Sequence, residues 1–256
     1  VKADRRRQHI LEVVAAEGRA SIAALAQSLN VSEMTIRRDL TDLDAVGALA
    51  RVHGGAVVPS GSSHEPPFGA RARLNSMAKA AIAIEVARLI EDDATVFLDG
   101  GSTGVAIAQA LASRAMTICT PSLRVADALK AAGRVRLMMT GGVMRPREHS
   151  FVGPSAIGMI GDHRFDWYVM TVSGIDLDAG CTEWNLDDAA VKQAALASAR
   201  EAIVAADASK IGAIAFGRIC GLERVGSVVT EADPPRDFVD GLRRRGVRLQ
   251  VPPPPP

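Results

Sequence analysis

Asp99-Gly100-Gly101-Ser102-Thr103-Gly104 follows one apolar run and opens another with helical spacing. Glycines let a backbone come close to a ligand, and successive N–H groups at a helix start suit an oxyanion such as phosphate. The hydroxyls of Ser102 and Thr103 add donors. Gly141 and Gly142, after Thr140, offer a second close approach, with Arg145 and Arg147 just beyond. The run from Ser173 to Trp184 carries Asp176, Asp178 and Glu183, whose carboxylates can accept hydrogen bonds from sugar hydroxyls. Lys192 follows on a helix, and Lys210 closes an Asp-Ala-Ser-Lys run that leaves a strand. Each run also has a plainer reading: a turn, a solvated arginine, an acidic loop, a surface lysine. The glycine loop matches neither G-x-x-x-x-G-K-S nor G-x-G-x-x-G, so a nucleoside triphosphate or dinucleotide is not indicated.

A second constellation lies at Val31–Leu40, VSEMTIRRDL. Ser32 suits a helix N-cap, Val31 and Ile36 can pack inward, and Glu33, Thr35, Arg37 and Arg38 gather near the helix start. A recognition helix presents such residues to a DNA major groove, where arginine clamps a guanine edge or a phosphate and threonine meets a thymine methyl or a phosphate. The competing reading is a solvated helix face, with Arg37 and Arg38 paired to Asp39 and Asp42.

These residues need elements to hold them. His9–Ala16 carries an apolar stripe and stops at Gly18. Ser21 caps a short helix with Ile22, Leu25, Ala26 and Leu29 at spacings of three and four, and Asn30 suits the left-handed residue that ends it. With the helix after Ser32 this is a helix-turn-helix. The alternation and glycine pair of LARVHGGAVV, after Gly47, predict a hairpin, hence a wing. Pro59–Gly69 is rich in proline, glycine and serine and predicts a linker. Beyond Arg71, helices alternate with strands. The predicted helices lie at 77–90, 105–112, 122–131, 187–200 and 235–245; the predicted strands lie at 94–99, 116–119, 135–139, 167–172, 202–206, 227–230 and 247–251. That alternation implies a mostly parallel sheet covered on both faces, with ligands beyond the carboxyl ends of the strands. The terminal prolines predict a solvated tail.

Composition bounds the function. Hydrophobic residues make up 48% and charged residues 23%, values ordinary for a soluble globular protein. A net charge of +1 argues against non-specific coating of nucleic acid, so specific binding must rest on local arginines. Cys119, Cys181 and Cys220 have no metal-ligand spacing, and the five histidines form no H-E-x-x-H pair. No metal and no cofactor are expected. No apolar run reaches membrane-spanning length, and the expected location is the cytoplasm.

Arg6, Ile10, Leu25, Val31, Ser32, Thr35, Ile36, Arg37, Arg38, Asp39 and Leu40, then Leu43, Gly47, Arg51, His53, Gly54, Gly55 and Ala56, resemble the DeoR-type winged helix. The resemblance implies DNA contacts at Arg6, Ser21, Ser32, Thr35, Arg37, Arg38, Arg51 and His53. VFLDGGST, the TGG run with Phe151–Gly153, SGID, Gly180, Lys192 and Asp207–Gly212 are similar, in order, to that family's C-terminal sensor domain. That domain is related to isomerases of the ribose-5-phosphate isomerase type and takes phosphorylated sugars or polyols. The implied effector residues are Asp99, Gly101, Ser102, Thr103, Gly141, Gly142, Arg145, Asp176, Glu183, Lys192 and Lys210. Thr120-Pro121 replaces the family's usual Thr-Asn, and Asp188 stands where glutamate is common. SGID, Glu183-Trp184 and the terminal ADPP are similar to the glycerol-3-phosphate repressor branch, which makes glycerol 3-phosphate a lead.

The sequence therefore predicts two domains: a small winged helix-turn-helix (1–58), a linker (59–69), an α/β domain with a mostly parallel sheet (70–251) and a proline tail (252–256). The expected function is repression of sugar or polyol metabolism genes by operator binding, under control of a phosphorylated effector. The expected partners are double-stranded operator DNA, that effector and further copies of the chain in a dimer or tetramer. The alternative is an aldose–ketose isomerase with an attached DNA-binding domain, using Asp99, Asp176 or Glu183 as its base.

Overall fold

In the computed structural model, which describes residues 3–45, 48–57 and 61–252, the chain divides into two units, Val1–Leu74 and Asn75–Pro256. Gly47, Val58, the first two residues of the expected linker and prolines 253–256 of the expected tail lie outside the described residues.

The first unit runs α1 (Ala3–Glu17), β1 (Arg19–Ser21), α2 (Ile22–Leu29), α3 (Glu33–Ala45), β2 (Ala50–Val52), β3 (Gly55–Val57) and α4 (Phe68–Arg73). Local chemistry sets the boundaries. Ser21 Oγ accepts the Ala24 N–H at 3.1 Å to open α2, and Asn30 ends it in the left-handed conformation at φ 52°. Ser32 Oγ accepts the Thr35 N–H at 3.2 Å and opens α3. Gly54, at φ +83°, turns the hairpin of β2 and β3. Strand β3 also pairs with β1, a three-residue strand the sequence did not betray. That pairing explains the glycine pair: a Cβ on Gly55 would sit 2.2 Å from the Ala20 carbonyl oxygen. Ile10, Val14, Ile22, Leu25, Ile36, Leu40, Leu43, Leu49 and Ala56 form one buried core under the three helices and the wing. The segment expected to be a linker is helical from Phe68, so the expected boundary at residue 70 falls inside α4.

In the second unit, α5 (Ser76–Leu89), β4 (Thr95–Leu98), α6 (Gly101–Leu111), β5 (Met116–Thr120), α7 (Leu123–Leu129) and β6 (Val135–Met139) come first. A hairpin of β7 (Val143–Arg145) and β8 (Ser150–Val152) follows, then α8 (Pro154–Gly161) and β9 (Phe165–Thr171). The chain continues through β10 (Gly174–Asp176), β11 (Gly180–Glu183), α9 (Leu186–Ser198), β12 (Ala199–Ala205), β13 (Gly217–Cys220), β14 (Ser227–Val229), α10 (Arg236–Arg244) and β15 (Arg248–Gln250). The main sheet has seven strands in the order β15-β14-β12-β9-β4-β5-β6, every neighbour parallel.

Alternation along the strands divides the core. Val96, Leu98, Ile118, Ile203, Ala205 and Val229 pack with residues of α5, α6 and α7 on one face. Phe97, Cys119, Tyr168, Met170, Val204 and Val228 pack with α8, α9 and α10 on the other. Burial on both faces is why the strands read as continuous apolar runs. The sequence reading missed the antiparallel sheet β10-β11-β13 and the β7–β8 hairpin. Cys181 and Cys220, 39 residues apart in sequence, become cross-strand partners between β11 and β13.

Strand order places the site. From β4 the chain moves outward through β5 to β6, then returns to β9 on the other side of β4 and moves outward again. The order therefore reverses between β4 and β9, and a crevice opens at the carboxyl ends of such a pair. The residue after β4 is Asp99, and β9 ends at Thr171.

Candidate functional sites

The reading helix has two faces. Ile36, Leu40 and Leu43 of α3 face the core, whereas Met34, Arg37, Arg38 and Thr41, at positions i, i+3, i+4 and i+7, are exposed. The neighbouring carboxylates, Asp39 and Asp42, are taken by arginines of α1. Arg6 of α1 pairs with Asp39 through two guanidinium contacts, and Arg7 donates to Asp39 at 3.1 Å and also reaches Asp42. The pairing of Arg37 and Arg38 with Asp39 and Asp42, weighed above, is therefore not the arrangement. Among the described residues, Arg37 has one long contact, to Glu33 at 3.4 Å on the surface. Hydrogen bonding to Asp39 raises the Arg6 pKa further, so Arg6 stands as a fixed cation clamping α1 to α3. Ser21 and Ser32 are caps, and the Thr35 hydroxyl lies 2.9 Å from Ser32 Oγ. Arg51 and His53 are exposed on the wing; Arg51 donates to the Thr41 hydroxyl at 2.9 Å, which ties the wing to the exposed face of α3.

In the second unit, Asp99 is 4% exposed at the switch point. Its Oδ1 accepts the Gly100 N–H at 2.9 Å, and its Oδ2 accepts the Thr171 N–H at 3.2 Å and the Tyr168 hydroxyl at 3.4 Å. The same Oδ2 accepts from Lys192 Nζ, which also donates to the Thr171 carbonyl at 2.7 Å and lies 3.1 Å from Glu183 Oε2. Glu183 Oε1 accepts the Ser173 hydroxyl and, at 2.8 Å, the Trp184 N–H. Asp99, Lys192 and Glu183 thus form a buried cluster of two carboxylates around one ammonium. Burial works against the Lys192 charge, but Asp99 and Glu183 overcome it and hold the ammonium above its ordinary pKa. Burial likewise works against the Glu183 charge, but Lys192, Ser173 and the Trp184 N–H together hold it below the usual carboxylate range.

Helix α6 opens directly beside this cluster. Gly101 sits at φ +77°, open to glycine. A Cβ on Gly104 would meet the Asp99 carbonyl oxygen at 2.3 Å, so the last glycine of the motif lets the helix close on its own entry loop. The first N–H groups of such a helix have no acceptor within it and point out at its start, beside Ser102 and Thr103. Gly141 (φ +64°) and Gly142 (φ +109°) lie between β6 and the β7–β8 hairpin. From that hairpin Arg145 reaches Asp188 on α9, which also accepts the Ser150 hydroxyl at 3.1 Å. Lys210 Nζ sits 4.7 Å from the centre of the Trp184 ring, on a turn capped by Asp207.

A chain of contacts therefore joins Asp99, Lys192, Glu183 and, through Trp184, Lys210. Asp188, one turn before Lys192 on α9 and acting on its charge, pairs with Arg145. The fold does not bring Asp176 to this group. It lies opposite Gly180 at the far end of the β10–β11 pairing, and the N–H groups of Ala179 and Asp178 hold its carboxylate below the usual range. Sequence reasoning missed Thr171, Ser173 and Tyr168. Tyr168 is the chain's only tyrosine, and its place inside an apolar run next to Trp167 was the available signal. Among the described residues, no cluster of three or more His, Cys, Asp or Glu side chains could hold a metal ion, and no helix is long and apolar enough to cross a membrane.

Residues 6–62 match the model of the DeoR-like helix-turn-helix domain, and residues 74–232 match that of the DeoR C terminal sensor domain. The glycerol-3-phosphate regulon repressor of Escherichia coli (strain K12) is 32% identical over 252 residues, 98% of this chain and 100% of that protein. The HTH-type transcriptional repressor CsqR of the same organism is 33% identical over 248 residues, 96% of this chain and 95% of that protein. Among solved structures, ribose 5-phosphate isomerase A from Methanocaldococcus jannaschii is similar at 14% identity and a TM-score of 0.41, over 54% of this chain and 55% of that one. With a winged helix in front and a parallel α/β sensor behind, both matched in order, this chain belongs to the DeoR family of DNA-binding transcription regulators and has the make-up of a repressor rather than of an enzyme.

Proposed function

We propose that this chain represses genes of sugar or polyol metabolism, with Arg37, Arg38, Thr35, Arg51 and His53 at the operator and a phosphorylated sugar or polyol as the switch. Arg6, Ser21 and Ser32 act on DNA binding by holding α1, α2 and α3 in place. The observation that carries the ligand reading is the start of α6 standing next to the Asp99–Lys192–Glu183 cluster at the switch point. Two carboxylates more than neutralise the one ammonium, so Lys192 has no charge to spare for a phosphate and organises the carboxylates. The phosphate charge then falls to the N–H groups of Gly101 to Thr103, to Lys210 and to Arg145, with Gly141 and Gly142 giving backbone access. The carboxylates of Asp99 and Glu183 suit the hydroxyls of a polyol. Asp176 supports the hairpin that carries Glu183.

The same electrostatics disfavour an isomerase. A general base works best with a pKa near the operating pH, and Glu183 and Asp176 are both held low. Reading repeated half-sites calls for a dimer or tetramer, and the working place is the cytoplasm. The test is a thermal-shift panel of phosphorylated sugars and glycerol 3-phosphate on wild type, Thr103→Val and Lys210→Ala. At least one compound should raise the melting temperature of wild type and lose that effect in both variants. A Lys210→Ala protein with a full response removes that lysine from the site.

A further inference from the structure

The solvent face of α3 holds one residue out of keeping with the rest. Met34 is 70% exposed in the first turn, on the same face as Arg37, Arg38 and Thr41. A methionine on a helix surface gains nothing from water, and Met34 is no part of the core that Ile36, Leu40 and Leu43 build on the opposite face. Its place is functional in kind: the first turns of a reading helix are the ones that reach base edges. Thr35, the other side chain there able to make an apolar contact, has its hydroxyl engaged with Ser32 and is only partly exposed. Arginines read guanine and phosphate, but the feature that marks thymine in the major groove is its C5-methyl group, and apolar side chains read it.

We propose that Met34 is a specificity-determining residue that reads the C5-methyl of a thymine in the operator, between the base pairs or phosphates held by Arg37 and Arg38. The thioether is unbranched and polarisable, so it can lie along a methyl without demanding a polar partner. This inference rests on α3 as the DNA-reading helix.

The experiment uses the full chain and duplexes it selects from a random DNA pool. Each thymine of the selected duplex is replaced in turn by deoxyuridine, which removes only the methyl group. Wild type should lose about fourfold in affinity per contacted methyl at one position of each half-site and be indifferent elsewhere. Met34→Ala should bind thymine and deoxyuridine alike at that position, whereas Met34→Leu should keep the preference. Met34→Gln should move the selected base there towards adenine. Wild type insensitive to deoxyuridine at every position, or a loss that persists in Met34→Ala, overturns the proposal. Arg37→Ala and Arg38→Ala separate the two readings. If they bind as well as wild type, α3 is not the reader at all; if they fail to bind while deoxyuridine has no effect, only the role of Met34 falls.

Discussion

Lys192 Nζ lies 3.1 Å from Glu183 Oε2 and also donates to Asp99, with all three side chains less than one-tenth exposed. A helix residue is thereby joined to the ends of two strands from different sheets. The cluster is built from charge, and its integrity depends on the count of charges.

Lys192→Met removes the ammonium and leaves two buried carboxylates without their shared counter-ion. Breaking a buried ion pair from one side costs about 3–5 kcal/mol. Both tryptophans, Trp167 and Trp184, lie in the second unit, so their emission during urea unfolding reports on that unit alone. The midpoint should fall sharply, and Glu183→Gln added to Lys192→Met should recover part of the loss.

The same cluster fixes a pH window. Glu183 is held below its ordinary value of 4.5, so its stabilisation is present above that value and is lost as pH falls through the lower folded value. Lys192 is held above its ordinary value of 10.5, so its stabilisation is complete below that value and is lost as pH rises through the higher folded value. Between these limits the cluster's own contribution should stay constant; the acid limb is shared with Asp176, which is also held low. Glu183→Gln should make the acid limb shallower while the alkaline limb persists, as read by urea midpoints across pH.

Arg6 and Arg38 should part company. Arg38 is exposed on the reading face, so Arg38→Ala should weaken operator binding with the first unit's stability within about 0.5 kcal/mol of wild type. Arg6→Ala removes one of two partners of Asp39, which is 1% exposed, and should cost about 1–3 kcal/mol of that unit's stability as well as operator affinity. Circular dichroism of thermal unfolding alongside operator titration checks both.

Gly104→Ala brings a methyl to 2.3 Å from the Asp99 carbonyl oxygen, a backbone atom that cannot step aside alone. It should cost about 1–3 kcal/mol, displace the start of α6 and abolish the thermal shift by phosphorylated ligands, while operator binding is retained.

Much of this was legible in the sequence because it depends on local chemistry. Ser21, Asn30 and Ser32 announce helix ends through hydroxyl and left-handed preferences that need no tertiary context. The central parallel strands announce themselves as apolar runs such as Val96–Leu98, since both faces are buried. Partnerships across long separations were not legible. Lys192 and Asp99 are 93 residues apart, and Arg6 and Asp39 are 33 apart. Nothing in either residue type names its partner, so the sequence set Lys192 among the effector residues and Arg6 among the DNA contacts without the carboxylates that each one holds. Strands β1 and β13 are three and four residues long and owe their existence to the strands they pair with, so no periodicity marks them.

The most direct test of the whole account is operator affinity measured with and without a panel of phosphorylated polyols and sugars, glycerol 3-phosphate first. At least one member should change the operator Kd on the order of tenfold, and saturating operator should change that ligand's Kd by the same factor. An operator Kd unmoved by every member, at concentrations that saturate the second unit, would contradict a switch in which the sensor governs the reading helix.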